Sequence, residues 1–469
     1  MKRTLISKPA RRQLFIGMIL ALLSSDLSSA QTRTVRIVTY NIEADIDGVT
    51  TPLPGLITPW TNANNVAAGG VLEGIGEEMA GGNAARPLDI LALEETTSNP
   101  TTVSPICNGM NSFYKSPGMY TNSPYQATEE GGAVDDGNGP NALVYNTRTL
   151  QLLASQPVDP IGGAANLGSQ YGEYREVVRY EFAPAGVAVT SSNVFYVYVS
   201  HYKSGTTGAD VTDRAGEAAI IRTNEAIDLP AAARVIYVGD YNVDTSGETG
   251  YQTILALASP NGIQQGQGLD PLNVTNNPHI DWETDTSDTN ILVMMTEHSY
   301  ELEYRDDLQL MTTNVFYGAP GGFQYVPGTY HAFGNNGTTA YYANVANGAD
   351  TALNNDLATN GPVFINATNL YNDLTNASDH LPVVADYTVP IPAPVFAGAA
   401  VSGNNLIFNI ADGMTGAVYT VWTATNLLQN PSGWAPISTN VCPSGNFTLT
   451  VTNPSDSSPS AGFYLLRTQ

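Results

Sequence analysis

The sequence predicts a layered α/β domain followed by a small all-β sandwich, and three observations carry that prediction. Apolar runs rich in β-branched residues recur between Val35 and Tyr387, and several stop abruptly at Asn, Asp, Glu or His. A helix-patterned stretch lies between two of these runs, the strand-helix-strand order of a layered fold. After the proline-rich Val389-Pro390-Ile391-Pro392-Ala393-Pro394, only short alternating strands with Gly, Asn and Pro turns remain. The expected organisation is residues 1–30 as a signal peptide, 31–388 as the main domain, 389–394 as a stiff linker and 395–469 as the β module.

The N-terminus supports export. Lys2, Arg3, Lys8, Arg11 and Arg12 precede the apolar run Leu14 to Leu23, and Ser28-Ser29-Ala30 supplies the small residues that a signal peptidase needs before Gln31. The run is too short for a mature anchor, so no integral membrane segment is expected after cleavage. Arg11-Arg12 loosely matches a twin-arginine signal, with Sec export the alternative. A secreted, periplasmic or cell-surface protein follows from either.

From the start of the mature chain, Val35 to Tyr40 forms a strand that delivers Asn41, and a short helix is expected near Val71 to Met79. Pro87 to Leu93 is a second strand ending in Glu94-Glu95. Two carboxylates closing a buried run are costly unless a cation compensates them, or unless they are simply solvated. Ser98 to Asn138 reads as a surface loop, and Asn141 to Tyr145 as a strand. Tyr174 to Tyr180 alternates charged and apolar residues around Arg175, Glu176 and Arg179.

Asn193 to Ser200 alternates strongly and delivers His201, with Lys203 two residues further on. A helix is expected from Thr212, carrying Asp213, Arg214 and Glu217 and ending before Pro230. It leads into V-I-Y-V-G-D-Y-N-V-D, Val235 to Asp244, where a buried strand breaks at a Gly and exposes Asp240 and Asn242, two residues apart and able to share one ligand. A common polar turn is the alternative there. Arg305-Asp306-Asp307 precedes the strand Leu308 to Met311, residues 312–376 suggest a lid or rim, and Ser378-Asp379-His380 opens the last strand.

The composition narrows the function. A 469-residue chain that is 42% hydrophobic has material for a large core. Its 18 Lys plus Arg against 43 Asp plus Glu give a net charge of −25, so affinity for a polyanion needs a local basic patch or bound cations, and the default state is a soluble monomer. Cys107 and Cys442 are the only cysteines, which excludes a disulfide framework and a thiolate metal site. Neither a serine-elbow nor a phosphate-cradling glycine loop is present.

Taken together, T-Y-N-I, L-A-L-E-E, S-H-Y-K-S, G-D-Y-N and S-D-H-L-P-V, in that order, resemble the motif set of the endonuclease/exonuclease/phosphatase superfamily, whose members include DNase I-like nucleases, neutral sphingomyelinases and inositol polyphosphate phosphatases. The resemblance covers most of residues 34–387 and implies a four-layer α/β sandwich. It implies Glu95 as the principal Mg²⁺ or Mn²⁺ ligand, with Asn41 and Asp379 near the metal. It further implies Asp240 and Asn242 positioning water and phosphate, His201 and His380 flanking the scissile phosphate, and Asp307 orienting His380. Glu176 matches an acid that pairs with His201 in some members. Many relatives have Gln where Glu94 stands, and the extra carboxylate is expected to alter metal affinity. Lys203 and Arg214 are expected to contact the substrate.

The expected function is therefore an exported, metal-dependent phosphohydrolase, a nuclease or other phosphodiesterase before a phosphomonoesterase. Its substrate would be a nucleic acid or a phospholipid headgroup. The competing reading is a surface-binding or adhesion protein on the same scaffold. The β module is expected to mediate cell-surface or matrix contact in either case.

Overall fold

The computed structural model describes residues 31–43, 56, 70–79, 85–97, 99–115, 122–129, 140–158, 175, 177–272, 282, 291–297, 302, 304–319, 321–340, 343–347, 353, 367–403, 405–415, 417–424, 426, 428–443, 445–452 and 463–468. The expected signal peptide, Glu176, His279 and His298 lie outside the described residues. Contacts divide the chain into two units, a larger one over Thr32–Ala185 and Val189–Pro390 and a smaller one containing Gly186–Ala188 and Ile391–Gln469.

The larger unit is built on two sheets. The first contains β1 (Gln31–Asn41), β2 (Ile90–Glu94), β3 (Tyr125–Glu129), β4 (Ala142–Asn146), β11 (Gln324–Tyr325), β12 (His331–Ala332) and β13 (Val383–Ile391), in the order β11-β13-β1-β2-β4-β3, with β12 also on β13. The second contains β5 (Leu150–Pro157), β6 (Val178–Pro184), β7 (Phe195–His201), β8 (Val235–Asp240), β9 (Gly268–Leu269) and β10 (Asp307–Thr312), in the order β5-β6-β7-β8-β10-β9.

Side chains alternate between two cores along each central strand. Ile37, Ile90, Ala92, Val197, Ile236 and Val238 pack between the sheets. Their neighbours Val38, Leu91, Leu93, Tyr198 and Tyr237 belong to the other core. That core also takes in helices α1 (Val71–Glu77), α2 (Ser104–Lys115), α3 (Gly208–Asp228) and α4 (Thr249–Leu255), through Leu72, Ile75, Ile106, Met110, Ile221 and Ile254. Both faces of these strands are covered, which explains why the sequence runs are continuously apolar rather than alternating with polar residues. The result is the helix-sheet-sheet-helix sandwich implied by the motif resemblance. Each fully buried Ile or Val contributes roughly 1.5–3 kcal/mol.

One polar residue joins the sheets inside that core. Gln309 of β10 donates to the Ile37 carbonyl at 3.0 Å and to the Val383 carbonyl at 2.6 Å, and its oxygen accepts from the Tyr387 hydroxyl at 3.1 Å. An unpaired amide there would be costly, so these bonds favour a single alignment of the two sheets.

Several boundaries differ from expectation for identifiable reasons. Helix α3 starts at Gly208 rather than Thr212, because Thr207 and Asp210 form a reciprocal cap: the Asp210 carboxylate accepts the Thr207 N–H at 2.9 Å, and the Thr207 hydroxyl accepts from the Asp210 N–H. Asp307 opens β10 instead of preceding it. β13 continues through Val389 and Ile391, both buried, so the sheet absorbs three residues that the proline count assigned to the linker.

The smaller unit is a β-sandwich of two three-stranded sheets. One is formed by β14 (Val395–Ser402), β15 (Asn405–Ala411) and β18 (Phe447–Thr452), and the other by β16 (Val418–Ala424), β17 (Ala435–Val441) and β19 (Phe463–Thr468). Leu406, Phe408, Ile410, Leu449 and Val451 of the first sheet share a core with Tyr419 and Val421 of the second. Cys107 and Cys442 are buried free thiols.

Candidate active site

Strand register builds one wall of the site. β7 and β8 run parallel with His201 opposite Asp240, and β8 and β10 run antiparallel with Asp240 opposite Asp307. Residues paired across neighbouring strands share a face, so His201, Asp240 and Asp307 form one row at the same end of the second sheet. Gly239 allows this row to form. Its φ is 142°, and a Cβ there would come 1.8 Å from the Ser200 carbonyl oxygen. In the first sheet, Asn41 pairs with Glu94 at the ends of β1 and β2, and Glu95 leaves β2 in the left-handed region at φ 55°.

Asp240 is the centre of the assembled site. Asn41 Nδ2 donates to its Oδ2 at 3.0 Å, linking the two sheets. The Asn242 N–H and Nδ2 donate to its Oδ1 at 2.9 and 2.8 Å. His201 Nε2 lies 3.4 Å from Asp240 Oδ2 and 3.5 Å from Glu95 Oε1. His380 Nε2 lies 3.9 Å from Asp240 Oδ2 and 3.7 Å from Asp379 Oδ1, while its Nδ1 meets Asp307 Oδ2 at 2.7 Å. Ser378 fastens this last loop to β1: its hydroxyl donates to the Asn41 carbonyl at 2.7 Å and accepts the His380 N–H at 3.0 Å.

The electrostatics separate the two histidines. For His380 burial disfavours the charge, but Asp307, Asp379 and Asp240 outweigh it and hold the imidazole well above the ordinary range. For His201 burial dominates, the cationic Arg175, His380 and Lys203 act in the same direction, and the ring stays neutral well below the ordinary range. Burial also raises Glu95, to about 7, with His380 opposing and Asp240 adding to the rise. Asp240 is raised by burial as well, against the His380 charge.

Glu95, His201 and Asp240 offer ligand atoms that all lie within 4.8 Å of one another. The set consists of two carboxylates and one imidazole without sulfur, which suits a hard divalent cation. A cation would also relieve the unfavourable burial of negative charge that raises Glu95. The residues fit a metal. Asn41 stands beside this group, its amide nitrogen donating to Asp240 and its oxygen accepting the Glu43 N–H at 3.1 Å. Asp379 stands beside His380 and outside the three-residue group.

Two other expectations change. Asn242 Nδ2 donates to Asp240 Oδ1 and to the Tyr202 carbonyl at 3.1 Å, so both amide hydrogens are used and Asn242 orients Asp240 rather than donating to a phosphate. Arg214 is fully buried. Its guanidinium holds Glu248 at 2.5 and 2.9 Å and the carbonyls of Lys203 and Gly205 at 2.9 and 2.7 Å, so it organises a loop and does not contact substrate. Glu94 is fully buried and accepts from Thr39 at 3.0 Å, and burial, with Asp307 adding, raises it well above its ordinary value. Lys203 Nζ lies 3.3 Å from the Ser204 carbonyl and 4.0 Å from Asp210.

Sequence reasoning missed Glu297 and gave Asp306 no role. Glu297 forms a single β-bridge with His380, and burial raises it to about 7. Asp306 is held well above the carboxylate range by burial, with Glu297 adding. Glu297 comes from an insert without a motif, and long-range contacts to His380 and Asp306 bring it to the site. His331, by contrast, is tied to Glu78 and to the Thr329 carbonyl at 2.8 Å.

No family model matches the chain, and no curated protein matches it by sequence. Solved structures with a loosely similar arrangement include the human Nocturnin catalytic domain with bound sulfate, at 16% identity over 77% of this chain and 96% of that one, TM-score 0.38. TDP2 from D. rerio in complex with a single-strand DNA product is 11% identical over 76% of this chain and 98% of that one, TM-score 0.37. An endonuclease/exonuclease/phosphatase protein from Beutenbergia cavernae is 14% identical over 93% of this chain and 100% of that one, TM-score 0.36.

Proposed function

We propose that this chain is an exported phosphodiesterase that depends on Mg²⁺ or Mn²⁺, with a nucleic acid or a phospholipid headgroup ester as its substrate. The observation that carries the reading is the convergence of Glu95, His201, Asp240 and the Asp307-held His380 from both sheets on one point. Four of the five sequence motifs supply Glu95, His201, Asp240 and His380 in that order, and the fifth supplies Asn41.

Glu95, flanked by His201 and Asp240, would hold the cation, which supplies Lewis-acid stabilisation of the phosphoryl oxygens when bound. His380 binds and orients the phosphate, because Asp307 keeps it cationic and leaves Nε2 to donate to a non-bridging oxygen. Asn41 and Asn242 fix the plane of the Asp240 carboxylate, which would orient the attacking water beside the cation. His201 stays neutral and presents Nε2 to the same point. No covalent intermediate is needed.

The leader-like N-terminus supports export to the periplasm, cell surface or medium, and among the described residues no helix is long and apolar enough to cross a membrane. The β-sandwich unit, without any of the site residues, fits a contact role on a surface or matrix. The test is an assay of residues 31–469 against plasmid DNA, RNA, sphingomyelin and bis-p-nitrophenyl phosphate with Mg²⁺ or Mn²⁺, with and without EDTA. The expected result is diester cleavage abolished by EDTA. Failure on all four substrates, or full activity in EDTA, removes the proposal.

A further inference from the structure

We propose that Glu217 is a positioning residue for His201, acting with Arg214 and Arg175 through the backbone of the loop Tyr202 to Gly205. The proposal rests on the phosphodiesterase reading for its catalytic consequence, but its structural content stands apart from that reading.

His201 is the last residue of β7, and buried charged groups bind the loop after it, beside the Tyr202 N–H bond to the Asp240 carbonyl at 2.8 Å and the Asn242 bond to the Tyr202 carbonyl. Glu217 Oε2 accepts the Lys203 N–H at 3.0 Å, and Glu217 Oε1 accepts the Arg175 N–H at 3.1 Å. One carboxylate thus joins the loop after His201 to the segment that enters β6. Arg214, one helical turn earlier on α3, donates to the Lys203 and Gly205 carbonyls, and Arg175 donates to the Tyr202 carbonyl at 2.7 Å. Glu217, Arg214 and Arg175 are at most 3% exposed.

A surface loop does not need this arrangement, because water satisfies loop amides at little cost. Burying a carboxylate is unfavourable: Glu217 is raised to about 8 by burial, against the two backbone N–H bonds and the Arg175 charge. The charged groups gather at the loop that carries His201. Pairing with Asp240 of β8 fixes His201 from the strand side, and Glu217 with the two arginines fixes the chain where it leaves the strand. The ring direction depends on both.

Glu217→Gln tests this, because one amide oxygen cannot replace two carboxylate oxygens. With bis-p-nitrophenyl phosphate at saturating Mn²⁺, kcat should fall about tenfold or more while KM changes less than about twofold, as expected of a displaced catalytic group. Amide exchange at Lys203 should accelerate. Glu225→Gln, the same change at a buried acid further along α3 that does not touch the loop, should leave kcat at the wild-type value. If Glu217→Gln does not fold, Arg214→Lys, which loses the two-carbonyl fork, should show the same fall in kcat. Accelerated Lys203 exchange with wild-type kcat overturns the proposal, as does an equal loss in Glu225→Gln. If the wild-type chain cleaves no diester, the function reading fails separately, and the His201 ring resonances then decide: they should shift or broaden in Glu217→Gln, and unchanged resonances overturn the positioning role.

Discussion

Replacing Asp307 by Asn preserves shape and removes the charge that faces His380 Nδ1 across 2.7 Å. Asp307 is fully buried and the His380 side chain is 9% exposed, so solvent screens the pair little. A hydrogen bond to a charged group contributes roughly 1.5–3 kcal/mol, and Asp307→Asn should cost that much while His380 carries its proton. The pH dependence has a definite sign. Burial alone would lower the His380 pKa, but Asp307, Asp379 and Asp240 raise it above its unfolded value. The stabilisation is therefore complete below the unfolded pKa and is lost as pH rises through the folded one. Urea unfolding of the full chain in EDTA should show the largest gap between wild type and variant at about pH 6, where an unfolded His is still largely protonated, and a narrowing gap on the alkaline side. A gap below about 0.5 kcal/mol at acid pH, or one that is constant with pH, would refute the pairing as the source of the raised pKa.

Three further outcomes follow from the same geometry. His201→Ala and His380→Ala should each lower kcat on the order of 10²- to 10⁴-fold, but only His380→Ala should also lower the melting temperature, since it strands the buried Asp307 carboxylate; equal melting temperatures would contradict the ion pair. Gly239→Ala places a methyl 1.8 Å from the Ser200 carbonyl in a backbone conformation unsuited to Ala, and should destabilise by about 3 kcal/mol or more in thermal unfolding; a near-neutral result would mean that the β7–β8 pairing at this point is not as described. Burial raises Glu73 and Glu217 to about 8 and Glu95 and Glu297 to about 7, so in this range the folded chain binds more protons than the unfolded one. The melting temperature in EDTA should then fall as pH rises from about 5 to about 8, and Mn²⁺ should reduce the fall; a metal-free stability that increases with pH over this window would be inconsistent with these buried acids.

The layering and the residues gathered in the candidate site were legible because each signal is local. Strand ends that break at Asn41, Glu95, His201, Asp240 and His380 can be read from neighbouring residues alone, and continuously apolar β-branched runs announce strands covered on both faces. The roles of individual polar groups were less legible, since these depend on partners far away in sequence. Arg214 looks like a cation near a phosphate site until Glu248 and two loop carbonyls are seen to occupy its guanidinium. Asn242 looks like a phosphate donor until Asp240 and Tyr202 take both of its amide hydrogens. Glu297 gave no signal at all, because its links to the site, to His380 and to Asp306, are made across an irregular insert.

The central claim is that Glu95, with His201 and Asp240, holds the divalent cation on which phosphodiester cleavage depends. Its most direct test is a Mn²⁺ titration of wild type and Glu95→Gln by calorimetry, with bis-p-nitrophenyl phosphate hydrolysis measured on the same samples. Wild-type hydrolysis should rise along the Mn²⁺ binding curve, and Glu95→Gln should lose affinity and turnover together because a neutral amide replaces the charged oxygen. Unchanged Mn²⁺ affinity in Glu95→Gln, or hydrolysis that proceeds before any Mn²⁺ is bound, would contradict the account.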